Sequence, residues 1–186
     1  MNTTQIQQAI SSDPAAGPHF LGVFASDQIP RRISQFPASL VVNTDPSSER
    51  GEHWVAFYFD KHGNVEYFDS YGFAPINCEL MRFFESNGKN HTWNKVQLQG
   101  LKSNVCGQWC IAYIVKRSRG QSRAQIIKGL KSDTKVNSDR QVGKLVNDAY
   151  NVKSNVKTHF QDGGGALGIQ CCCSKLVRMR RKRFHL

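Results

Sequence analysis

Acidic residues are scarce in this chain of 186 residues. Its 14 Asp and Glu stand against 25 Lys and Arg, a formal net charge of +11. A surface of that sign draws polyanions, nucleic acid first. Long apolar runs are also missing, and nothing approaches the roughly 20 residues of a membrane-spanning helix. Cysteine is limited to Cys78, Cys106, Cys110 and the run Cys171 to Cys173. No spacing among them suggests a small disulfide framework, and the N-terminus does not read as a secretory leader. Both absences point to a reducing compartment, cytosol or nucleus. The adjacent cysteines at 171–173 lack the spacing of a zinc site, although cysteines beside a basic run suit lipidation. No internal repeat is visible.

What is present suits one domain with a tail. Hydrophobic residues make up 39% of the chain and include 11 Phe, enough for a sizeable core. Residues 1–160 read as that domain. Residues 161–186 read as a flexible Gly-rich linker, Gly163-Gly164-Gly165, followed by a basic tail. From Asp162 onward six basic residues face one acidic residue, so the tail carries +5 and the rest of the chain +6.

Along the domain, Ile6 and Ile10 predict a short helix over 3–12, broken by Asp13-Pro14 and Gly17-Pro18. Phe20 to Phe24 is apolar and expected in the core. Ser39 to Asn43 reads as a buried strand. His53 to Phe59 is strongly β-prone, Asp60 to Asn64 has turn chemistry, and Val65 to Phe68 returns, so residues 53–69 predict a hairpin. Helices are expected at 77–86, 122–131 and 139–150, and a short strand at Lys95 to Leu98.

The stretch from Leu98 to Lys116 organises the rest. It begins polar and loop-like, then turns apolar at helical spacing through Trp109, Cys110, Tyr113 and Ile114. Cys106 falls at the junction, at or near a helix N-terminus, where unpaired N–H groups and the helix dipole favour a thiolate. Gly107 removes a side chain beside the sulfur and is expected to let a substrate backbone approach. Gln99 is placed to offer an amide N–H to a developing oxyanion. Cys106 alone also fits a plain buried cysteine, since free Cys is among the most buried residue types. The hairpin adds what a lone cysteine lacks. His53 precedes its first strand and Asp69 follows its second, and in an antiparallel hairpin those ends lie side by side. An imidazole to take the thiol proton, a carboxylate to orient it and an amide donor for the oxyanion are the parts of a thiol hydrolase. Asp60, in the turn at the far end, is the rival acid. Trp54 either lines the cleft or belongs to the core. Cys110, one turn past Cys106, is expected to point inward, and His62 is a turn residue.

The sequence words Gly17-Pro18-His19-Phe20-Leu21-Gly22, Val42-Asn43-Thr44, His53-Trp54-Val55-Ala56-Phe57, Phe68-Asp69-Ser70-Tyr71-Gly72-Phe73, and Gln99-Gly100 with Cys106-Gly107-Gln108-Trp109-Cys110 occur in the order seen in one family. Over roughly residues 10 to 117 the chain resembles the adenovirus protease (adenain) and, more distantly, the Ulp/SUMO-protease clan. The resemblance implies a papain-like α+β cysteine endopeptidase fold, with a central mixed β-sheet flanked by helices and the chain order His-Asp-Gln-Cys. It implies Cys106 as nucleophile, His53 as general base and acid, Asp69 as orienting carboxylate and Gln99 in the oxyanion hole; Trp54 and Gly107, beside His53 and Cys106 in sequence, are the candidate substrate-cleft residues. It implies cleavage at Gly-containing sites in structural precursor proteins, no required cofactor or metal, stimulation by DNA and a basic peptide, and a place in the host nucleus or virion. Adenain-like proteases also occur in Polinton/Maverick-type elements and related DNA viruses, which suggests an origin there. Three departures from the family pattern stand out: Asp69 where the family usually has Glu, Ser70 where a Pro usually follows the acid, and no cysteine just upstream of Gln99, where Gly88 and Lys89 stand, for a disulfide-linked activating peptide. The Ulp side of the resemblance leaves a ubiquitin- or SUMO-type isopeptidase open. A catalytically inactive, basic DNA-binding protein is the reading from another class.

In the tail, Lys175, Arg178, Arg180, Arg181, Lys182 and Arg183 form a candidate nucleic-acid-binding arm. The same segment is a candidate activator in cis, and Gly163–Gly168 a candidate self-cleavage site.

Overall fold

The computed structural model describes residues 1–152. The boundary near residue 160, the Gly-rich linker, Cys171 to Cys173 and the basic residues from Lys175 to Arg183 lie outside them. The described part is an α+β fold built on a five-stranded mixed sheet, as expected. Its strands are β1 (Phe20–Phe24), β2 (Ala38–Asn43), β3 (Trp54–Phe59), β4 (Val65–Phe68) and β5 (His91–Trp93), in sheet order β1-β2-β3-β4-β5. The outer pairs, β1 with β2 and β4 with β5, are parallel, and the two inner pairs are antiparallel. The helices are α1 (Thr3–Ser11), α2 (Cys78–Ser86), α3 (Cys106–Ser118), α4 (Arg123–Leu130) and α5 (Lys135–Tyr150).

Strands β2 and β3 are apolar at nearly every position because both faces of the sheet are covered. On one face Leu40, Val42, Val55, Phe57 and Phe59 pack with Tyr67 against Leu80, Phe83 and Phe84 of α2. On the other, Val41, Ala56, Tyr58 and Phe68 pack against α1, α3, α4 and α5. Helix α3 is the centre of that second layer. Every residue from Cys106 to Val115 is buried, because the sheet closes one side of the helix and α1, α4 and α5 close the rest. The rings of Phe68 and Tyr113 stack at 4.2 Å. At the far end of α3, Arg117 pairs with Glu66 of β4, its Nε 2.8 Å from Oε2. The helix is thus fixed along its length against the strand that ends at Asp69.

Three sequence expectations need correction. The strand expected at Lys95 to Leu98 is found earlier, at His91–Trp93. After Trp93 the Asn94 side chain takes over the ladder bonds, accepting from Asp69 N at 2.9 Å and donating to Asp69 O at 2.6 Å. The backbone is thereby released to cross toward Gln99. Phe20–Phe24 is an edge strand that joins the core only in part: Phe20, Val23 and Phe24 pack against it half-buried, while Leu21 is 45% exposed. Helix α5 begins at Lys135, four residues before the expected start, because the Thr134 hydroxyl caps it by accepting from Asn137 N at 3.2 Å.

Candidate active site

The hairpin brings its two ends together. Ala56 pairs with Phe68, so the residues beyond the ladder, His53 and Asp69, meet at one rim of the sheet. His53 Nε2 lies 2.8 Å from Asp69 Oδ1, and both side chains are largely buried. The Cys106 thiol lies close enough to His53 for each to shift the other's pKa. Cys106 is the first residue of α3, and the preceding Val105 offers no side-chain cap. The first N–H groups of that helix are therefore free to face an anion. The backbone groups of Trp54 and Gly107 also help to lower the Cys106 thiol pKa.

These surroundings set the protonation states. Burial alone would pull the His53 pKa down, but its hydrogen bonds to Asp69 and Cys106 and their negative charges outweigh it and raise it from 6.5 to about 9. Burial likewise pushes the Cys106 thiol up, yet the hydrogen bond and charge of His53, helped by those two backbone groups, bring it below its ordinary value. Each group therefore favours the charged form of the other, which is the direction an activated thiol requires.

Asp69 is held from several sides. Its Oδ1 also accepts from Tyr71 N at 2.8 Å, and Asn94 brackets its backbone on both sides. Gln99 is 1% exposed and fully engaged. Its Oε1 accepts from Ser70 Oγ at 2.6 Å, and its Nε2 donates to Ser103 O at 2.7 Å and to Tyr71 Oη at 3.3 Å. Its backbone N–H and that of Leu98 both donate to Ser70 O. Gly72, at φ +80°, makes this approach workable, since a Cβ there would lie 2.7 Å from the backbone carbon of Val96. The structure thus brings His53, Asp69, Gln99 and Cys106 to one place. It also shows that the Gln99 amide already has its partners in the free chain.

The remaining sequence expectations divide. Asp60 is a turn residue, its carboxylate accepting from His62 N, Asn64 N and Asn64 Nδ2. Cys110 is fully buried, and desolvation raises its thiol well above the usual range. Trp54 packs partly into the core with its Nε1 donating to Met1 O at 3.3 Å. Gly107 requires a correction. It does not open a path for substrate, because a Cβ there would meet Met1 Sδ at 3.1 Å and Ile6 Cδ1 at 3.2 Å. The missing side chain makes room for α1. Among the described residues no group of three or more His, Cys, Asp or Glu could hold a metal ion, and no helix is long and apolar enough to cross a membrane.

Four residues escaped the sequence reading as parts of the site: Ser70, Tyr71, Asn94 and Asp139. A hydroxyl residue in place of the usual Pro beside the acid was the visible signal for Ser70. Asn94 interrupts the β pattern from His91 onward, which could have marked where the chain leaves the sheet. Asp139 accepts from Trp109 Nε1 at 2.8 Å and Gly100 N at 2.9 Å. Its position 30 or more residues downstream gave no local signal.

No family model matches the chain. Its sequence is 29% identical over 127 residues to the protease of human adenovirus B serotype 3, covering 61% of each chain. It is 34% identical over 86 residues to the protease of human adenovirus E serotype 4, covering 44% of this chain and 41% of that one. It is 31% identical over 99 residues to the SUMO-1 cysteine protease of African swine fever virus, covering 47% and 36%. The crystal structure of the African swine fever virus protease superposes with a TM-score of 0.39 at 24% identity, over 56% of this chain and 42% of that one. The chain thus matches no more than 61% of the length of these viral protease relatives. The relatives found by sequence bear out the resemblance to adenain-like cysteine proteases.

Proposed function

We propose that this relative of the adenovirus proteases is a cysteine endopeptidase. The observation that carries the reading is the 2.8 Å hydrogen bond between Asp69 and His53 beside a cysteine that opens a buried helix, the imidazole and thiol each shifting the other's pKa. In this reading the Cys106 thiolate attacks the substrate carbonyl carbon, and the carbonyl pair moves onto oxygen. The wall formed by the first N–H groups of α3 and the Gln99 region meets that charge. The imidazolium then gives its proton to the leaving amine. Water, deprotonated by the same imidazole, hydrolyses the acyl-enzyme. Asp69 holds the ring through both transfers. No cofactor takes part.

The substrates are structural precursor proteins of a virus or virus-like element, cut at Gly-containing sites, in the host nucleus or the virion. DNA binds non-specifically through the basic tail residues Lys175, Arg178, Arg180, Arg181, Lys182 and Arg183, and DNA or the tail stimulates cleavage. An isopeptidase acting on ubiquitin-like tails is a second reading, favoured by the name of the African swine fever virus relative.

The test is iodoacetamide labelling at pH 6 and pH 8 with peptide mapping, on the chain as given and on His53→Ala. Fast labelling of Cys106 at pH 6, lost in His53→Ala, supports a His-activated thiolate. Labelling of Cys106 no faster than that of free cysteine counts against it. A SUMO-tail electrophile beside a Gly-containing peptide electrophile separates the two substrate classes.

A further inference from the structure

The loop from Ser70 to Asn77 begins at the orienting acid and ends beside the base. At its start Tyr71 N donates to Asp69 Oδ1 and Gly72 N to Asp69 O, both at 2.8 Å. At its end Asn77 Nδ2 donates to Thr44 O at 2.7 Å, and Thr44 N donates to His53 O at 2.9 Å. Between them Pro75 is buried and stiffens the backbone. The loop holds no charged residue, in a chain of net charge +11. Two large apolar side chains on it nevertheless face solvent, Phe73 at 56% and Ile76 at 61% exposure. Rings connect Phe73 to the base: the Tyr71 centroid lies 4.9 Å from that of His53 and 6.4 Å from that of Phe73. Trp54, the chain neighbour of His53, offers no such surface, because its ring packs against the core and its N–H is taken by Met1 O. Exposed apolar side chains gathered beside a reacting group mark a surface that a partner covers.

We propose that Phe73 and Ile76 determine specificity on the amine side of the cut, forming an uncharged wall that selects a large apolar residue immediately after the scissile bond. This rests on the thiol-peptidase reading above and adds to it the substrate residue that leaves. The placement follows from the chemistry. His53 has to hand its proton to the leaving amine, so that nitrogen comes within about 3 Å of the imidazole. The side chain attached next to it starts no further than one residue of extended chain, about 3.4 Å, beyond. An aliphatic or aromatic side chain of ordinary length then reaches the edge formed by Tyr71 and Phe73. A Gly in that place would leave the wall in water.

The test runs the amine step in reverse on the full chain. With 4-nitrophenyl acetate, Sγ bonds to the carbonyl carbon and 4-nitrophenolate leaves, giving acetyl-Cys106. An added amine then bonds to the thioester carbon, gives one proton to His53 and releases Cys106 as thiolate. It enters where a leaving amine departs. Leucinamide and glycinamide at equal concentration compete for the acetyl group, and mass spectrometry counts N-acetyl-leucinamide against N-acetylglycinamide. The parent is expected to favour leucinamide on the order of tenfold over the ratio given by acetylated free cysteine. Phe73→Ser is expected to lose most of that preference, and Phe73→Ser with Ile76→Ser nearly all of it. Leu21→Ser, an exposed apolar residue on β1, is the control and keeps the preference. No preference in the parent overturns the proposal, as does a preference that survives in the double variant or falls equally in Leu21→Ser. A fall in the 4-nitrophenolate burst matching the fall in preference also overturns it, since the pair would then act on the acyl side or support His53. A Cys106 acylated no faster than free cysteine overturns instead the thiol reading on which the proposal rests.

Discussion

The carboxylate of Asp139 on α5 accepts the buried indole N–H of Trp109, three residues beyond Cys106, at 2.8 Å. Its second oxygen takes the backbone N–H of Gly100 at 2.9 Å. One side chain from the last described helix therefore holds both the helix that carries the nucleophile and the loop that carries Gln99. Asp139→Ala leaves two donors without acceptors in a buried place and is expected to cost about 2–4 kcal/mol. Urea denaturation followed by Trp fluorescence measures it. Asp139→Asn, which still accepts one bond, is expected to cost less. Equal stability of the parent and Asp139→Ala would refute the clamp.

The coupled states of His53 and Cys106 predict a bell-shaped profile for peptide cleavage. The acid limb follows formation of the thiolate, below the ordinary thiol value of 9.0, and the alkaline limb follows loss of the imidazolium proton at about 9. Stability follows the same signs. A histidine whose pKa rises on folding adds stability in full below its unfolded value of 6.5, and that part is lost as pH climbs through about 9. The lowered Cys106 behaves oppositely, adding stability above its unfolded value of 9.0 and losing it as pH falls through the folded one. His53→Ala is expected to flatten the pH dependence of the urea midpoint between 6.5 and 9. A midpoint that varies equally in both proteins would contradict this.

Asp69→Asn preserves the shape of the acid and removes its charge. The imidazolium loses its partner, and peptide turnover at pH 7 is expected to fall at least about tenfold, with the acid limb moving up. Asp60→Asn, altered in the turn at the other end of the hairpin, is the control and should leave turnover unchanged. Equal losses from both would point to damage of the hairpin rather than of the site.

Gly107→Ala separates the two roles considered for that glycine. Its Cβ meets Met1 Sδ, Ile6 Cδ1 and Met1 Cβ at 3.1–3.3 Å, contacts that a shift of a few tenths of an ångström relieves, and Ala gains about 1 kcal/mol of helix propensity over Gly. Stability is therefore expected to change by less than about 1 kcal/mol and acylation by 4-nitrophenyl acetate to be preserved. Loss of acylation at normal stability would restore the cleft role.

The proposed DNA binding has a salt signature. If Lys175, Arg178, Arg180, Arg181, Lys182 and Arg183 all neutralise phosphates, deleting residues 175–186 should reduce the log–log salt slope on duplex DNA by about 5. Fluorescence anisotropy at several salt concentrations measures it, and an unchanged slope would exclude the tail as the main contact.

The local elements were legible because short-range chemistry decides them. The turn at Asp60 to Asn64 and the β-prone runs around it placed His53 beside Asp69 before any tertiary contact was known. The apolar periodicity after Val105 placed Cys106 at a helix start. What stayed hidden depends on partners far along the chain. Asn94 replaces a strand with side-chain bonds to Asp69, and neither periodicity nor propensity registers that. Gly107 looked like an opening beside the sulfur because the residues that fill the space, Met1 ahead of α1 and Ile6 within it, lie about a hundred residues away in sequence. The partners of Gln99 were invisible because Ser70 and Ser103 reach it from either side of a loop.

Ser70 has one more consequence. Its carbonyl accepts from Leu98 N and Gln99 N, and Asp69 is bracketed by Asn94. The acid that orients the imidazole and the wall that faces the oxyanion are thereby stitched into one seam. Such a seam opens as a unit. The amides of Asp69, Tyr71, Leu98 and Gln99 should exchange with deuterium through a shared fluctuation, and whenever the seam parts the chain loses base orientation and oxyanion wall in the same instant.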